Sequence, residues 1–255
     1  MKKIINIIGG FAILIIIWQL IFIFGNYSQA LFPSPQGVIK AFIELVSEGV
    51  LFEDIRDSMI RFVIGYSISV IIGITLGLIL GWFRNIWGFI NPIVQLLRPI
   101  SPMAWLPFIV LWFGIGDLPA IAIIFIAAFF PILLSTVSAV GSVDQTYLKV
   151  AKNFGIKQPQ VLTKIILPSA FPNIATGLHL ALGTAWVFLV AGEMVGAQSG
   201  LGFLIIDARN NLRADMLMAA IVVIGVLGLL LDSLIRLLEK WISNRWGIVS
   251  NERGA

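Results

Sequence analysis

Few side chains in this 255-residue chain are able to do covalent chemistry. It has no cysteine and a single histidine, His179, which removes disulfides, thiolate metal sites, cysteine nucleophiles and any metal centre built on several imidazoles. A serine nucleophile served by His179 would need a positioned third group, and no Gly-x-Ser-x-Gly turn accompanies it. No Gly-x-x-x-x-Gly-Lys-Ser/Thr loop occurs either, so the chain does not use ATP by that route. His179 is therefore read as hydrogen-bonded to a neighbouring helix.

What remains is charge inside apolar sequence. Arg98 and Glu193 each interrupt a hydrophobic stretch, at a cost of about 2.5–3.5 kcal/mol on insertion scales, which makes such residues candidates for lining a pathway. Arg98 either attracts a passing oxyanion or snorkels to the inner surface. Glu193 makes a gating contact, closes a helix-end salt bridge or touches substrate. With Ser101 and Trp105, these two form the candidate pathway set, although aromatic residues such as Trp105 and Trp112 also serve as packing and interfacial anchors.

The segment from Ser142 to Pro168 is polar yet patterned. Ser142 and Gln145 have the spacing of a capping box. Tyr147, Val150, Ala151 and Phe154 then recur every three or four positions, with Lys149, Lys152 and Asn153 on the other side, which predicts a short amphipathic helix. Gly155 suits a left-handed helix end, Pro159 suits the first turn of a second helix, and Val161, Leu162, Ile165 and Ile166 give that helix an apolar side ending before Pro168. A knob of this kind fits a groove in another protein.

These residues must be positioned by membrane helices. The hydrophobic fraction is 59%, charged residues make up 12% and the mean hydropathy is +1.00, far from the balance of a soluble domain. Since a span needs roughly 20 apolar residues, the chain is read as an all-α polytopic membrane protein of about six transmembrane helices, near 4–25, 59–82, 88–113, 118–141, 170–196 and 215–238. The apolar run from Ile4 to Phe24 exceeds a signal-peptide core, so it is read as a retained helix.

The net charge of +4 and pI near 9.6 report topology rather than nucleic-acid binding. Lys2, Lys3, Arg84, Lys149, Lys152, Lys157, Lys164, Arg236, Lys240, Arg245 and Arg253 fall on one side if both termini are inside. Lys40, Arg56, Arg61, Arg209 and Arg213 fall outside. Phe32-Pro33-Ser34-Pro35 opens an outer loop in which Val38, Phe42 and Leu45 predict a helix lying along the surface. Gly73, Gly77 and Gly81 share one face of the second span and permit close packing, while Pro92, Pro99, Pro102 and Pro107 break the third.

An ion-coupled secondary transporter would show several intramembrane carboxylates and interrupted helices in related halves, whereas Glu193 stands nearly alone here. A membrane enzyme would need a nucleophile and base, or a metal, at one depth.

The patterned loop resembles the permease subunits of binding-protein-dependent ATP-driven importers. Their cytoplasmic signature runs Glu-Ala-Ala, three residues, Gly, nine residues, then Ile-x-Leu-Pro. Here the matching positions are Lys149-Val150-Ala151, Gly155 and Ile165-Ile166-Leu167-Pro168, with Lys149 in place of glutamate and Val150 in place of alanine. Leu97-Arg98-Pro99-Ile100-Ser101-Pro102-Met103-Ala104-Trp105-Leu106-Pro107, Leu111-Trp112-Phe113-Gly114-Ile115-Gly116, Ala191-Gly192-Glu193-Met194 and Ser199-Gly200-Leu201-Gly202 are similar to the nitrate, sulfonate and taurine branch.

The resemblance implies a type I importer permease fold over a single domain, 1–255, with cytoplasmic N- and C-termini and a coupling loop at 142–168. It implies a prokaryotic inner-membrane location and a second permease subunit, usually an identical copy. Two cytoplasmic ATPase subunits and an extracytoplasmic solute-binding protein complete the expected assembly. ATP and Mg would be used by the ATPase, with no cofactor on this chain. Lys149, Val150, Ala151, Phe154, Gly155, Ile165, Leu167 and Pro168 would meet the ATPase. The expected solute is a small oxyanion such as nitrate, an alkanesulfonate or taurine; the alternative is a vitamin precursor or another small organic solute.

Overall fold

Hydrocarbon offers no partner for a backbone N–H or C=O, so a segment that crosses it must satisfy its own hydrogen bonds, which a helix does. The computed structural model describes residues 2–25, 28 and 31–245. Met1 and Arg253 lie outside the described residues, as do the side chains of Lys2, Lys3, Gln145, Lys152, Pro159 and Arg245. The described elements are helices: α1 (Lys2–Gly25), α2 (Pro35–Ser47), α3 (Val50–Trp82), α4 (Arg84–Leu97), α5 (Pro102–Phe113), α6 (Asp117–Gly141), α7 (Gln145–Asn153), α8 (Gln158–Val161), α9 (Leu167–Gly196), α10 (Leu201–Asn210) and α11 (Ala214–Arg245), with a π-helical turn at Leu162–Ile166 between α8 and α9.

The glycines of α3 set its register against α6. A Cβ placed on Gly65, Gly73, Gly77 or Gly81 would lie 2.5–2.8 Å from side-chain atoms of Ile124, Ile132, Thr136 and Val140 respectively. Each partner lies 59 positions further along the chain; hence α3 and α6 run parallel in a fixed register, at a distance only glycine allows. In α9, Gly177 faces Ser135 and Gly192 faces Ala120, so α9 runs antiparallel to α6. Trp186 Nε1 donates to Ile224 O at 3.1 Å, and His179 meets Glu239, so α11 in turn runs antiparallel to α9. Phe62, Tyr66, Ile124, Ala128, Ile132, Ala181, Leu182, Ala185, Trp186 and Leu189 fill the core between them.

Parallel α3 and α6 require the chain to recross between Trp82 and Asp117. The pair α4 and α5 makes that crossing with a 90° bend, so the span expected at 88–113 is broken, as its prolines predict, and begins at Arg84. The break falls at Pro99 and Pro102, where Ser101 adopts the extended conformation (φ −58°, ψ 133°) that a following proline favours. Pro92 and Pro107 lie inside helices and do not end them. Among the described residues, four helices are long and apolar enough to cross a membrane, and the bent pair, taken as one span, makes a fifth. Of the 24-residue α1, the stretch Ala12–Gly25 is a shorter apolar helix, so the described residues show four or five of the six spans expected.

Two further departures concern the side opposite the 142–168 loop. The helix α3 starts at Val50 rather than 59, carrying its first two turns beyond the predicted span. The surface helix forms as α2, with Ser34 accepting from Gly37 N at 3.1 Å as its cap. It buries Val38, Ala41 and Leu45 against α10 and α11, whereas Phe42 is exposed. The smaller Ala41 takes the inward position because it lets α2 lie close to the bundle.

Candidate functional site

The polar segment after α6 folds as a helix, a glycine turn and a second helix. Its capping differs from the expected Ser142–Gln145 box. Ser142 Oγ donates to Ala139 O at 2.8 Å and closes the end of α6, while Asp144 Oδ1 accepts from Thr146 N at 2.8 Å and starts α7. That backbone bond, first, and the Thr146 side chain hold the Asp144 carboxyl below its usual range. A carboxylate is favoured there because the first helical N–H groups are unpaired and the dipole is positive.

Gly155 ends α7 with φ +67°, and Ile156 N donates back to Ala151 O at 3.0 Å, the long bond of a Schellman end. The apolar stripe of α7 is divided. Ala151 is buried with Val140, Val161 and Ile166, fixing α7 on the base of the bundle. Tyr147, Val150 and Phe154 are exposed, Phe154 by 79%, beside exposed Lys149. Large exposed apolar side chains on a polar loop mark an interaction surface.

The second helix does not end before Pro168. It passes through the π turn at Leu162–Ile166, where Leu167 N donates to Leu162 O, and continues as α9, giving one helix over Leu162–Gly196. The widened turn carries one extra residue, and Pro168 sits at the start of α9, where its missing N–H costs least. Ile165, Leu167 and Pro168 are half-buried at this junction.

At the other end of α9, Glu193 has no exposed surface. Its Oε1 accepts from Arg61 Nη1 at 2.7 Å and from Ser58 Oγ at 2.8 Å, and its Oε2 accepts from Gly202 N at 2.9 Å. Arg61 also donates from Nε to Asp117 Oδ1, from Nη1 to Ser199 O and from Nη2 to Ser199 Oγ, each at 2.7 Å. Asp54 Oδ1 accepts from Gly200 N at 2.7 Å, and Ser199 Oγ donates to Asp57 at 2.7 Å. The network therefore ties α3, α6, α9 and the start of α10 together. Gly200 takes φ +101°, and a Cβ there would meet Glu193 and Arg61 at 2.5–2.6 Å.

Of the residues read as pathway candidates, Arg98 and Ser101 are exposed together at the α4–α5 bend. Trp105 is half-buried against the Leu106, Ile109 and Ile123 cluster. Glu193 bonds with none of these three; in this conformation it is a helix-anchoring group. His179 Nε2 lies 2.5 Å from Glu239 Oε2, and its Nδ1 lies 3.6 Å from Asp232, so it joins α9 to α11 as expected of a packing histidine.

A family model described as the binding-protein-dependent transport system inner membrane component matches residues 69–244. The chain belongs to that family. It is the inner-membrane permease subunit of an ATP-binding-cassette transport system, a transport component and not an enzyme. The taurine transport system permease protein TauC of Escherichia coli is 34% identical over 238 residues, covering 91% of this chain and 86% of that protein. A Bacillus subtilis protein named as the aliphatic sulfonates transport permease SsuC is 35% identical over 229 residues, 90% and 83% of the two chains. The bicarbonate transport system permease protein CmpB of Synechococcus elongatus is 33% identical over 248 residues, 92% and 88%.

The fold is that of such a permease. An inward-facing structure of the MetNI methionine ABC transporter aligns over 78% of this chain and 97% of its own, with a TM-score of 0.63 at 18% identity. Membership of the family brings an ATPase and a solute-binding protein as partners of the permease.

Of the buried network, the sequence reading singles out Glu193, and Ser199-Gly200-Leu201-Gly202 as a stretch of family likeness. Its other half was visible as spacing: Asp54, Ser58 and Arg61 recur four and three positions apart, on one face of a helix. Asp54 and Ser58 fall before the span expected at 59–82, whereas α3 begins at Val50 and carries all three.

Proposed function

We propose that the permease moves a small sulfonate or a related oxyanion, between two identical copies of this chain, powered through α7 by the ATPase. The observation that carries this reading is mechanical. The exposed Tyr147, Val150 and Phe154 lie on and at the end of a helix anchored by Ala151, and past the Gly155 turn the chain from Leu162 runs as one helix to Gly196. A push on α7 is thereby delivered to a rod that spans the bilayer and ends at the Arg61–Glu193 network.

In this reading the face of Lys149, Val150, Phe154 and Gly155 seats in a groove of the ATPase, with Ala151, Ile165, Leu167 and Pro168 shaping the base. ATP and Mg are bound by the ATPase. Its closure biases a rigid-body change between inward- and outward-facing arrangements, because docked and undocked grooves differ in affinity for the knob. In this reading the side carrying the loop is cytoplasmic, and the directions of α1 and α11 support cytoplasmic N- and C-termini.

The substrate class is supported by the names of the relatives: taurine, aliphatic sulfonates and bicarbonate are small solutes with an anionic oxygen-bearing group. Arg98 and Ser101 at the bend offer such a group a cation and a hydroxyl at the broken part of a helix, where pathways form. The test is uptake into vesicles holding the permease, its ATPase and its binding protein. ATP-driven accumulation of taurine or ethanesulfonate, without an ion gradient, is expected; uptake that needs an ion gradient and ignores ATP sinks the proposal.

A further inference from the structure

The π turn at Leu162–Ile166 decides which side chain of the coupling loop faces inward. Beyond it, the buried line of the helix runs Ile166, Ala170, Ile174, in the steps of four that an α-helix places on one face. Before it, the buried residue is Val161, five positions ahead of Ile166 in the same cluster. In an unbroken α-helix a step of five lands about 140° around the axis. Val161 and Ile166 reach one cluster because the widened turn absorbs a residue. The residue that continues the four-step line is Leu162, which is also apolar and lies half-buried at the edge of that cluster.

Two registers therefore offer similar apolar groups to Val140 and Ala151: Val161 inward with the π turn, or Leu162 inward without it. We propose that the π turn is a switch, holding Val161 inward at rest and collapsing to bring Leu162 inward when the ATPase closes on α7. This inference rests on the coupling role proposed for α7.

Pro168 sets the resting register. In a continuous α-helix its ring would crowd the carbonyl of Lys164, four residues earlier, and the widened turn just before it gives that carbonyl room. Collapse restores the crowding, so it needs a bias from outside the chain, which closure of the ATPase supplies. It turns α8 by about 100°, one residue's worth of helix. The extra residue passes into the turn at Gly155, Ile156 and Lys157, which are exposed, with open space where a Gly155 Cβ would lie. Alternative packings of this kind convert a small push into a discrete step.

The chain has no cysteine, so single introduced thiols read the register directly. Val161→Cys and Leu162→Cys, one at a time in the full-length permease, are reconstituted in nanodiscs with the ATPase and treated with a water-soluble maleimide, before and after trapping with ATP and vanadate. Trapping should raise the labelling rate of Val161→Cys, which replaces a side chain 6% exposed, several-fold and lower that of Leu162→Cys to a similar degree. Deleting Thr163 removes the extra residue and leaves Val161 four positions before Ile166, locked inward in plain α-helix. The deletion should abolish both changes and lower uptake per ATP hydrolysed several-fold, whereas Thr163→Ser, which keeps the residue count and a hydroxyl, should do neither. Thiol rates that stay constant or move together on trapping overturn the proposal, as does wild-type uptake by the deletion variant; if that variant does not fold, the thiol exchange decides alone. ATP-driven uptake by the wild type with constant thiol rates removes the switch and leaves coupling through α7 standing. Loss of ATP-driven uptake in the wild type itself falls on the coupling reading instead.

Discussion

Arg61 Nη1 and Glu193 Oε1 meet at 2.7 Å with side chains only 4% and 0% exposed, joining the outer turns of α3 to the end of the helix that begins at the coupling loop. An ion pair withdrawn from water recovers its desolvation cost only if its remaining donors and acceptors are satisfied, and here Ser58, Asp117, Ser199 and Gly202 satisfy them. A mobile gating contact would be wetter and less completely bonded. The arrangement acts as an anchor that the two helices share.

Removing one partner should therefore cost more than removing both. Arg61→Ala strands a buried carboxylate and should destabilise the detergent-solubilised permease by about 3–5 kcal/mol, read as the loss in a chemical or thermal unfolding curve. Glu193→Gln, which keeps the shape, should cost less when combined with Arg61→Met than Arg61→Ala does alone. Additive costs would show that the pair is not coupled.

The glycine register of α3 makes a second expectation. A methyl group on Gly77 would come within 2.5 Å of Thr136 Cβ, with Leu133 O at 3.2 Å, so the helices would have to separate. Gly77→Ala should lower stability by about 1–3 kcal/mol, the range for overpacking. Gly88, with nothing within 4 Å, gives the control: Gly88→Ala should be neutral or slightly stabilising by helix propensity. Equal melting shifts for the two variants would remove the close approach from the account.

Acid should loosen the α2–α11 corner. Arg213 Nη2 donates to Glu44 Oε2 at 2.8 Å, and chiefly that bond holds the Glu44 carboxyl below its ordinary value of 4.5. A carboxyl depressed by folding contributes stability that is present above its unfolded pKa and lost as pH falls through the folded one. Stability should thus hold constant above about pH 4.5 in this respect and decline below it, and Glu44→Gln should flatten that decline. The check is melting temperature against pH for both proteins.

The sequence made the spans and the loop legible because both follow from local pattern: apolar length for one, 3.6-residue spacing with a terminal glycine for the other. It hid what depends on contact between distant segments. Nothing local separates Asp54, Ser58 and Arg61 from an outer loop until Ser199 and Glu193 are seen beside them. The prolines of the third span announced a break, but only the parallel register of α3 and α6 shows that the broken pair must still cross. Pro168 looked like a helix end, because a π turn two residues earlier leaves no mark in residue type.

The glycine that closes α7 gives the sharpest separation between folding and coupling. Gly155 holds φ +67° with open space around its missing Cβ, so a substitution there is resisted by backbone conformation and not by crowding within this chain. Gly155→Asn, which tolerates the left-handed region, should keep uptake near wild type, whereas Gly155→Val should strain the turn by about 1–2 kcal/mol and tilt the Tyr147, Val150 and Phe154 face. Because the turn lies outside the bundle, Gly155→Val should still insert while uptake per ATP hydrolysed falls several-fold in reconstituted vesicles. Phe154→Asp should give the same uncoupling with an unchanged melting temperature, since its side chain is exposed and surface substitutions shift stability by about 0.5 kcal/mol or less. If both variants transport with wild-type stoichiometry, α7 is not the element that receives the ATPase's motion.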